Sequence, residues 1–367
     1  MKNKIFWLFI FLLLFINTKE LKALDFAVKG MTVEAPNPHE VDRFCEFIKN
    51  DLAPSGMNTL MLRIDYKFKF KSYPQVAEDS ALTVLQVKQI VNACKEVNVR
   101  LIPAVELFSH QATAYKPFGL LRAFPEFDET PWESYGTPGI TKAYCPNHPE
   151  LHTVVFSLID EIIDAFESKE FCPGLDELFH IGEDERCKNT GKSKAQLFAD
   201  EANLLNSHIK SKGNTMWMWA DRLLNADYWG MSEWEASKVP NTWEAIDLLN
   251  KDIVLLDWHY RDLHLSAAHL VFKGFNTLVC PGETPLIAVE YLKNLARFSK
   301  SSLKKPTINS KFNGFLLTNW GACSLFMDEF IKEKNGESTN SETTARGWFL
   351  MMNELNKITP EEKAKTI

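Results

Sequence analysis

Along this chain, short runs of β-branched and aromatic residues repeatedly give way to a polar turn and then to a longer stretch with apolar residues at helical spacing. No other feature constrains the fold as much. The runs are Phe26–Lys29, Thr59–Ile64, Val99–Val105, Leu178–Ile181, Thr215–Trp219, Ile253–Trp258, Thr277–Cys280 and Phe315–Asn319. Helical spacing is clearest at Val41–Leu52, Thr83–Val97, Leu151–Phe166, Lys194–Lys210, Pro285–Phe298 and Glu342–Leu355. Most runs are apolar on both faces, as parallel strands covered on both sides must be. Eight such units are expected to close into a single (β/α)8 barrel of the α/β class. An open doubly wound sheet shows the same alternation, but no glycine-rich phosphate loop follows the first strand. The segment from Phe108 to His148 is rich in Pro, Gly and aromatics and reads as a long loop over the barrel mouth.

At the N-terminus, Lys2 and Lys4 precede an unbroken apolar run from Ile5 to Ile16, the pattern of a secretory signal. The run is short for a membrane span, and Ala23 is a plausible cleavage point. Residues 1–23 are therefore expected to be a signal peptide, 24–358 one catalytic domain and 359–367 a charged tail. The protein is expected to be exported, periplasmic or extracellular. With 45% hydrophobic and 24% charged residues, the chain has material for a large core and no sign of disorder. A net charge of -7 without a long basic run argues against nucleic acid or a membrane surface as partner. A neutral or weakly charged ligand fits better. Ten Trp include rings able to stack on the C–H faces of sugars, although a core role accounts for most. Seven cysteines leave at least one unpaired within the chain, and of these Cys145, Cys172 and Cys187 sit in loop-like sequence that could supply one bridge.

Barrel enzymes take their chemistry from the C-terminal ends of several strands. The residues that follow the runs here are Asp65 and Tyr66, Glu106 and His110, Glu183, Asp184 and Glu185, Asp221, then Asp257, Trp258, His259 and Tyr260, Glu283, and finally Asn319 and Trp320. Three consecutive acids after Phe179-His180-Ile181-Gly182 form the sharpest cluster, because neighbouring buried carboxylates raise one another's pKa as a general acid requires. No His-x-His or HExxH spacing and no paired CxxC appears, so neither metal nor cofactor is expected.

His180-Ile181-Gly182-Glu183-Asp184-Glu185 resembles the His-x-Gly-Gly-Asp-Glu signature of family 20 glycoside hydrolases, the β-N-acetylhexosaminidases, with Glu183 in place of the second Gly. Pro103-Ala104-Val105-Glu106-Leu107-Phe108-Ser109-His110 is similar to that family's Pro-Glu-Ile-Asp-x-Pro-Gly-His segment. Trp217-Met218-Trp219-Ala220-Asp221, Trp258-His259-Tyr260 and Thr318-Asn319-Trp320 fall where the family places strand-end aromatics and acids. The resemblance implies a retaining, substrate-assisted hydrolase acting on terminal N-acetylhexosamine. In it Glu185 is the acid/base and Asp184 orients the acetamido group. It further implies substrate contacts from His110, His180, Trp219, Asp221, Trp258, Tyr260 and Trp320, and a glycan as partner. The family's Trp-x-Glu is Trp320-Gly321-Ala322 here, and its Arg after the first strand is not evident, which bears on the identity of the sugar. Two other readings remain: a retaining glycosidase with Glu185 as acid/base and Glu283 as nucleophile, and a non-catalytic glycan-binding barrel.

Overall fold

The computed structural model describes residues 26–112, 115–135 and 141–364. Residues 1–23, where a signal peptide is expected, lie outside them, as do residues 365–367 of the expected tail. Eight parallel strands close into one barrel in chain order: β1 (Val28–Glu34), β2 (Thr59–Arg63), β3 (Arg100–Leu107), β4 (Glu170–Gly174), β5 (Thr215–Trp219), β6 (Val254–Trp258), β7 (Asn276–Cys280) and β8 (Phe312–Thr318). Between them run the expected helices, among them Val84–Glu96, Leu151–Phe166, Lys194–Ser211 and Pro285–Ser301. Two start where the sequence offers a capping box, Thr83 with Gln86 and Ser193 with Gln196. Among the described residues no helix is long and apolar enough to cross a membrane.

The fourth strand departs from expectation. It occupies Glu170–Gly174, not Leu178–Ile181, so the run Leu178-Phe179-His180-Ile181 lies beyond it in the loop. The preceding helix ends at Phe166 with Glu167 in the left-handed region. Placing the next strand at Leu178 would need an unusually long structureless turn, whereas Glu170 follows at the ordinary spacing. Pro173 and Gly174 also thin the ladder. Only Glu170 and Phe171 pair with β5, and the register with β3 shifts between Ala104 and Leu107.

Side chains separate into two cores. An outer layer between strands and helices includes Phe44, Ile90, Ile159, Phe198 and Trp348. The barrel interior is a smaller cluster holding Met61, Ile102, Ala104, Cys172, Trp217, Trp219, Val254, Leu256, Trp258, Leu278 and Leu316. Inward positions alternate along each strand. Continued past the strand ends, the same parity reaches Arg63 and Asp65, Glu106, Gly174 and Asp176, Asp221, Tyr260, and Trp320. The barrel's packing rule thus carries most of these residues toward its mouth, where loop residues such as His110 and Glu177 join them. None of the seven cysteines is disulfide-bonded. Cys172 lies in the interior, while Cys145 and Cys187 face each other with their sulfurs 3.5 Å apart.

Candidate active site

A cavity of about 530 Å³ opens at the C-terminal ends of the strands, lined by Glu34, Arg63, Asp65, Tyr66, Lys67, Glu78, Glu106, His110, Phe118, Asp176, Glu177, Trp258, Tyr260 and Trp320. That volume suits a small ligand largely enclosed by protein. Its walls are aromatic. Trp320 stands 40% exposed, its indole N–H donates to Tyr260 Oη at 2.6 Å, and the Arg63 guanidinium lies 4.7 Å over its ring.

Its acidic centre is Asp176 and Glu177, which follow β4 directly. His110 Nε2 sits between them, 3.4 Å from Asp176 Oδ2 and 3.3 Å from Glu177 Oε2. Glu106 interacts with Asp176 carboxyl to carboxyl, and its buried Oε2 and Asp176 Oδ1 are both without a hydrogen-bond partner. Burial, then the charge of Asp176, pushes the Glu106 pKa well above the carboxylate range. Glu106 is thereby the protonated member of that carboxyl pair. Burial would also raise Asp176, but His110 and the Glu106 carboxyl outweigh it and hold Asp176 below its ordinary value. Burial opposes charge on His110 too, yet Asp176 and Glu177 drive its pKa well up. Glu177 is only partly exposed, and desolvation raises it despite its contact with His110. Two adjacent acids therefore diverge: one is held anionic and the other keeps its proton to higher pH than an ordinary glutamate.

The backbone that carries this centre is unusual. Asp65, Phe108, His110, Leu175 and Glu177 all adopt positive φ, although none is glycine. Such conformations persist only where the surroundings impose them. Here they do: Asp65 Oδ1 accepts from Glu106 N–H at 3.0 Å, and Gln111 donates to the Glu106 carbonyl at 2.7 Å while accepting from Tyr66 Oη at 2.6 Å. Asp221 Oδ2 accepts from Glu177 N–H at 2.9 Å, and Thr141 donates to the Glu177 carbonyl at 2.9 Å. Gly174 makes the packing possible, since a Cβ there would lie 2.2 Å from Glu106 Oε2.

The residues singled out from sequence divide accordingly. His110, Trp258, Tyr260 and Trp320 line the cavity. Asp221 does not; it is buried behind the wall, where it accepts from Trp258 Nε1 at 3.2 Å and Arg222 Nε at 2.7 Å and braces Glu177. Trp219 is likewise interior, packed against Trp320 at 5.6 Å between ring centroids. Asp184, Glu185 and His180 lie outside the cavity, correcting the expectation that they form its centre. Asp184 is the N-cap of the short helix Glu185–Lys188 and grips Arg186 through three hydrogen bonds of 2.7, 2.8 and 2.9 Å, which lower its pKa. The Glu185 side chain is 77% exposed and pairs with Lys188, and His180 approaches Glu133 at 3.8 Å. The alternative pairing of Glu185 with Glu283 fails for the same reason, Glu283 lining a separate cleft beside Asn319 and Thr344. Asp176 and Glu177 escaped the sequence reading, although Cys172-Pro173-Gly174-Leu175-Asp176-Glu177 carries the same Gly-x-Asp-Glu ending as the segment chosen. The signal that would have found them is the distance from the end of the preceding helix.

A family model described as "Glycosyl hydrolase family 20, catalytic domain" matches residues 33–310. Among solved structures the chain is similar to a chitobiase of Flavobacterium johnsoniae, at 16% identity and a TM-score of 0.63, over 92% of this chain and 52% of that one. It is similar also to an exo-β-N-acetylglucosaminidase of Vibrio harveyi solved with N-acetylglucosamine, at 13% identity and a TM-score of 0.61, over 92% and 58%. A β-N-acetylhexosaminidase of Bacteroides fragilis follows at 17% identity and a TM-score of 0.51, over 72% and 55%. At these identities the likeness establishes a shared fold, and the chain spans only about half the length of these proteins. No curated protein matches it in sequence.

Proposed function

The chain belongs to glycosyl hydrolase family 20, and on that footing we propose that it is a retaining β-N-acetylhexosaminidase whose substrate supplies its own nucleophile, with Asp176 and Glu177 as the working pair. The observation that carries this reading is the divergence of the two acids around His110. A bound N-acetylhexosamine turns its acetamido oxygen onto the anomeric carbon. As the glycosidic bond breaks, Glu177 gives its proton to the leaving oxygen. Positive charge spreads over the cyclised oxazolinium-like ring, and anionic Asp176 stabilises it at the acetamido N–H. Glu177, now a carboxylate, takes a proton from the water that reopens the ring, and configuration is retained. His110 holds both acids in place, and Glu106 keeps its carboxyl against Asp176. Trp258 and Trp320 offer ring faces to the sugar, and Tyr260 sits where its hydroxyl can steady the acetamido oxygen.

Paired aryl β-glycosides with and without a 2-acetamido group test this reading, together with a thiazoline mimic of the cyclised intermediate. Turnover restricted to the acetamido sugar, with inhibition by the thiazoline, supports it. Cleavage of plain hexosides with no thiazoline effect overturns it, and sugar binding without any turnover points to a glycan-binding barrel. We propose in addition that the protein is exported on the strength of Lys2, Lys4 and the apolar run that follows. Cell fractionation with N-terminal sequencing checks this, and a cytoplasmic chain with its leader intact refutes it.

A further inference from the structure

Strand parity sends Trp258 and Tyr260 to the cavity and His259, between them, to the opposite side. There it is buried among Asp257, Ser266, Glu235 and His264. Counting hydrogens places one on Nε2. Ser266 Oγ donates to Asp257 Oδ2 at 2.8 Å, so it can only accept in its 3.1 Å contact with His259 Nε2. Nε2 therefore carries the hydrogen, and Asp257 Oδ1 at 3.3 Å reinforces that choice. Nδ1 is left buried, without a hydrogen-bond partner, and aimed across 3.6 Å at Glu235 Oε1. Ser232 donates to the other oxygen of Glu235 at 3.1 Å, which fixes the carboxylate's direction.

With the ring neutral, that lone pair faces a carboxylate, an arrangement that a cation between them would satisfy; a proton on Nδ1 is the alternative, and a metal-binding assay separates the two. At 3.6 Å the gap exceeds hydrogen-bond length. It is close to the edge of a tetrahedron around an ion with bonds of about 2.1 Å, which is about 3.4 Å. His264 completes a third corner: its ring lies 4.8 Å from that of His259, and the donor atoms of all three residues fall within 4.8 Å of one another. We propose that Glu235, His259 and His264 bind one zinc-type divalent ion, with water in the fourth position.

The surroundings support such a site. Asp257 behind His259 is the carboxylate partner that orients a ligating imidazole and raises its basicity. Arg222 donates to the carbonyls of Glu233, Trp234 and Ala236 at 2.6, 3.0 and 3.1 Å, holding the Glu235 loop. Tyr291 Oη accepts from His264 N–H at 2.9 Å and donates to the Asp262 carbonyl at 3.2 Å, holding the other loop. Both loops are thus set before an ion arrives. Glu235 and His264 are partly exposed, which leaves a path in from solvent. An ion there joins the loops after β5 and β6 and stiffens the wall that carries Trp258 and Tyr260.

The test uses the full chain stripped with a chelator, then dialysed against Zn²⁺ near neutral pH and assayed for bound metal. One equivalent is expected in the wild type, with affinity reduced at least about tenfold in His264→Ala and in Glu235→Gln. His264 is half-buried, so that variant keeps the barrel core intact, and circular dichroism checks its folding. Co²⁺ is expected to give the visible absorption of a tetrahedral nitrogen–oxygen site. A thiolate charge-transfer band would assign the ion to Cys145 and Cys187 instead and overturn the proposal. So would no bound equivalent in the wild type, the result if His259 is simply an imidazolium between two acids, or undiminished binding in both variants. Metal content is read without turnover, so failure here leaves the hydrolase reading untouched.

Discussion

Gly174-Leu175-Asp176-Glu177 and Gly182-Glu183-Asp184-Glu185 share one frame, with a glycine at φ +76° opening each. Their fates differ completely. The first leaves β4 on the inward parity and brings two carboxylates to His110 in the cavity. The second lies after a further turn of chain, where its Asp caps a short helix, its last Glu faces solvent and Glu183 pairs with Lys194. A short acidic motif therefore carries chemistry only through the element that delivers it. What the frame supplies is a tight turn and two acids; what the barrel supplies is burial, a partner histidine and the pKa divergence.

Substitutions at matching positions should separate the two frames. Glu177→Gln is expected to lower kcat for an aryl N-acetylglucosaminide by about 10²–10⁴-fold, the usual worth of a positioned proton donor, whereas Glu185→Gln should leave it within about twofold of wild type. The same variant sharpens the pH profile. In the proposed reaction Glu177 acts in its protonated form and its pKa is raised, so kcat/KM in the wild type should fall as pH rises through that pKa. This limb should be absent with Glu177→Gln. Asp176→Asn is expected to cost at least about tenfold in kcat, and Asp184→Ala should leave kcat unchanged but cost about 1 kcal/mol of stability in urea unfolding, from the lost cap. Gly174→Ala forces Glu106 out of its contact and should lower both kcat and stability, the latter by about 2 kcal/mol. Gly182→Ala, whose nearest neighbour is Leu197 Cδ1 at 3.3 Å, should show only the backbone strain, about 1 kcal/mol in the same assay. Equal losses from both members of any pair would erase the distinction drawn here.

Much of the barrel could be read from the chain because burial on both faces leaves apolar runs that only a covered parallel sheet explains. Thr215–Trp219 and Leu151–Phe166 coincide with the elements read from sequence, and the aromatic positions Trp258, Tyr260 and Trp320 follow from strand ends placed correctly. The acidic centre did not follow, because Pro173 and Gly174 make β4 a poor strand by propensity, while Leu178-Phe179-His180-Ile181 makes a good one. Tertiary closure overrode local preference at that strand. Asp221 illustrates a second limit: a strand-end acid looks the same in sequence whether it faces the cavity or, as here, holds the main chain of a residue that does.

The thin ladder around β4 has a consequence for how the molecule yields to heat. The seams β1–β2, β2–β3 and β6–β7 each pair five residues, but β4 and β5 are tied at only two, and the chain beyond β4 is held by side chains, Asp221 accepting from the Glu177 N–H and Thr141 donating to the Glu177 carbonyl. Breathing of the wall should begin at that seam. The machinery would then fall out of alignment while the rest of the cylinder still stands, so that function fails on warming before the fold does.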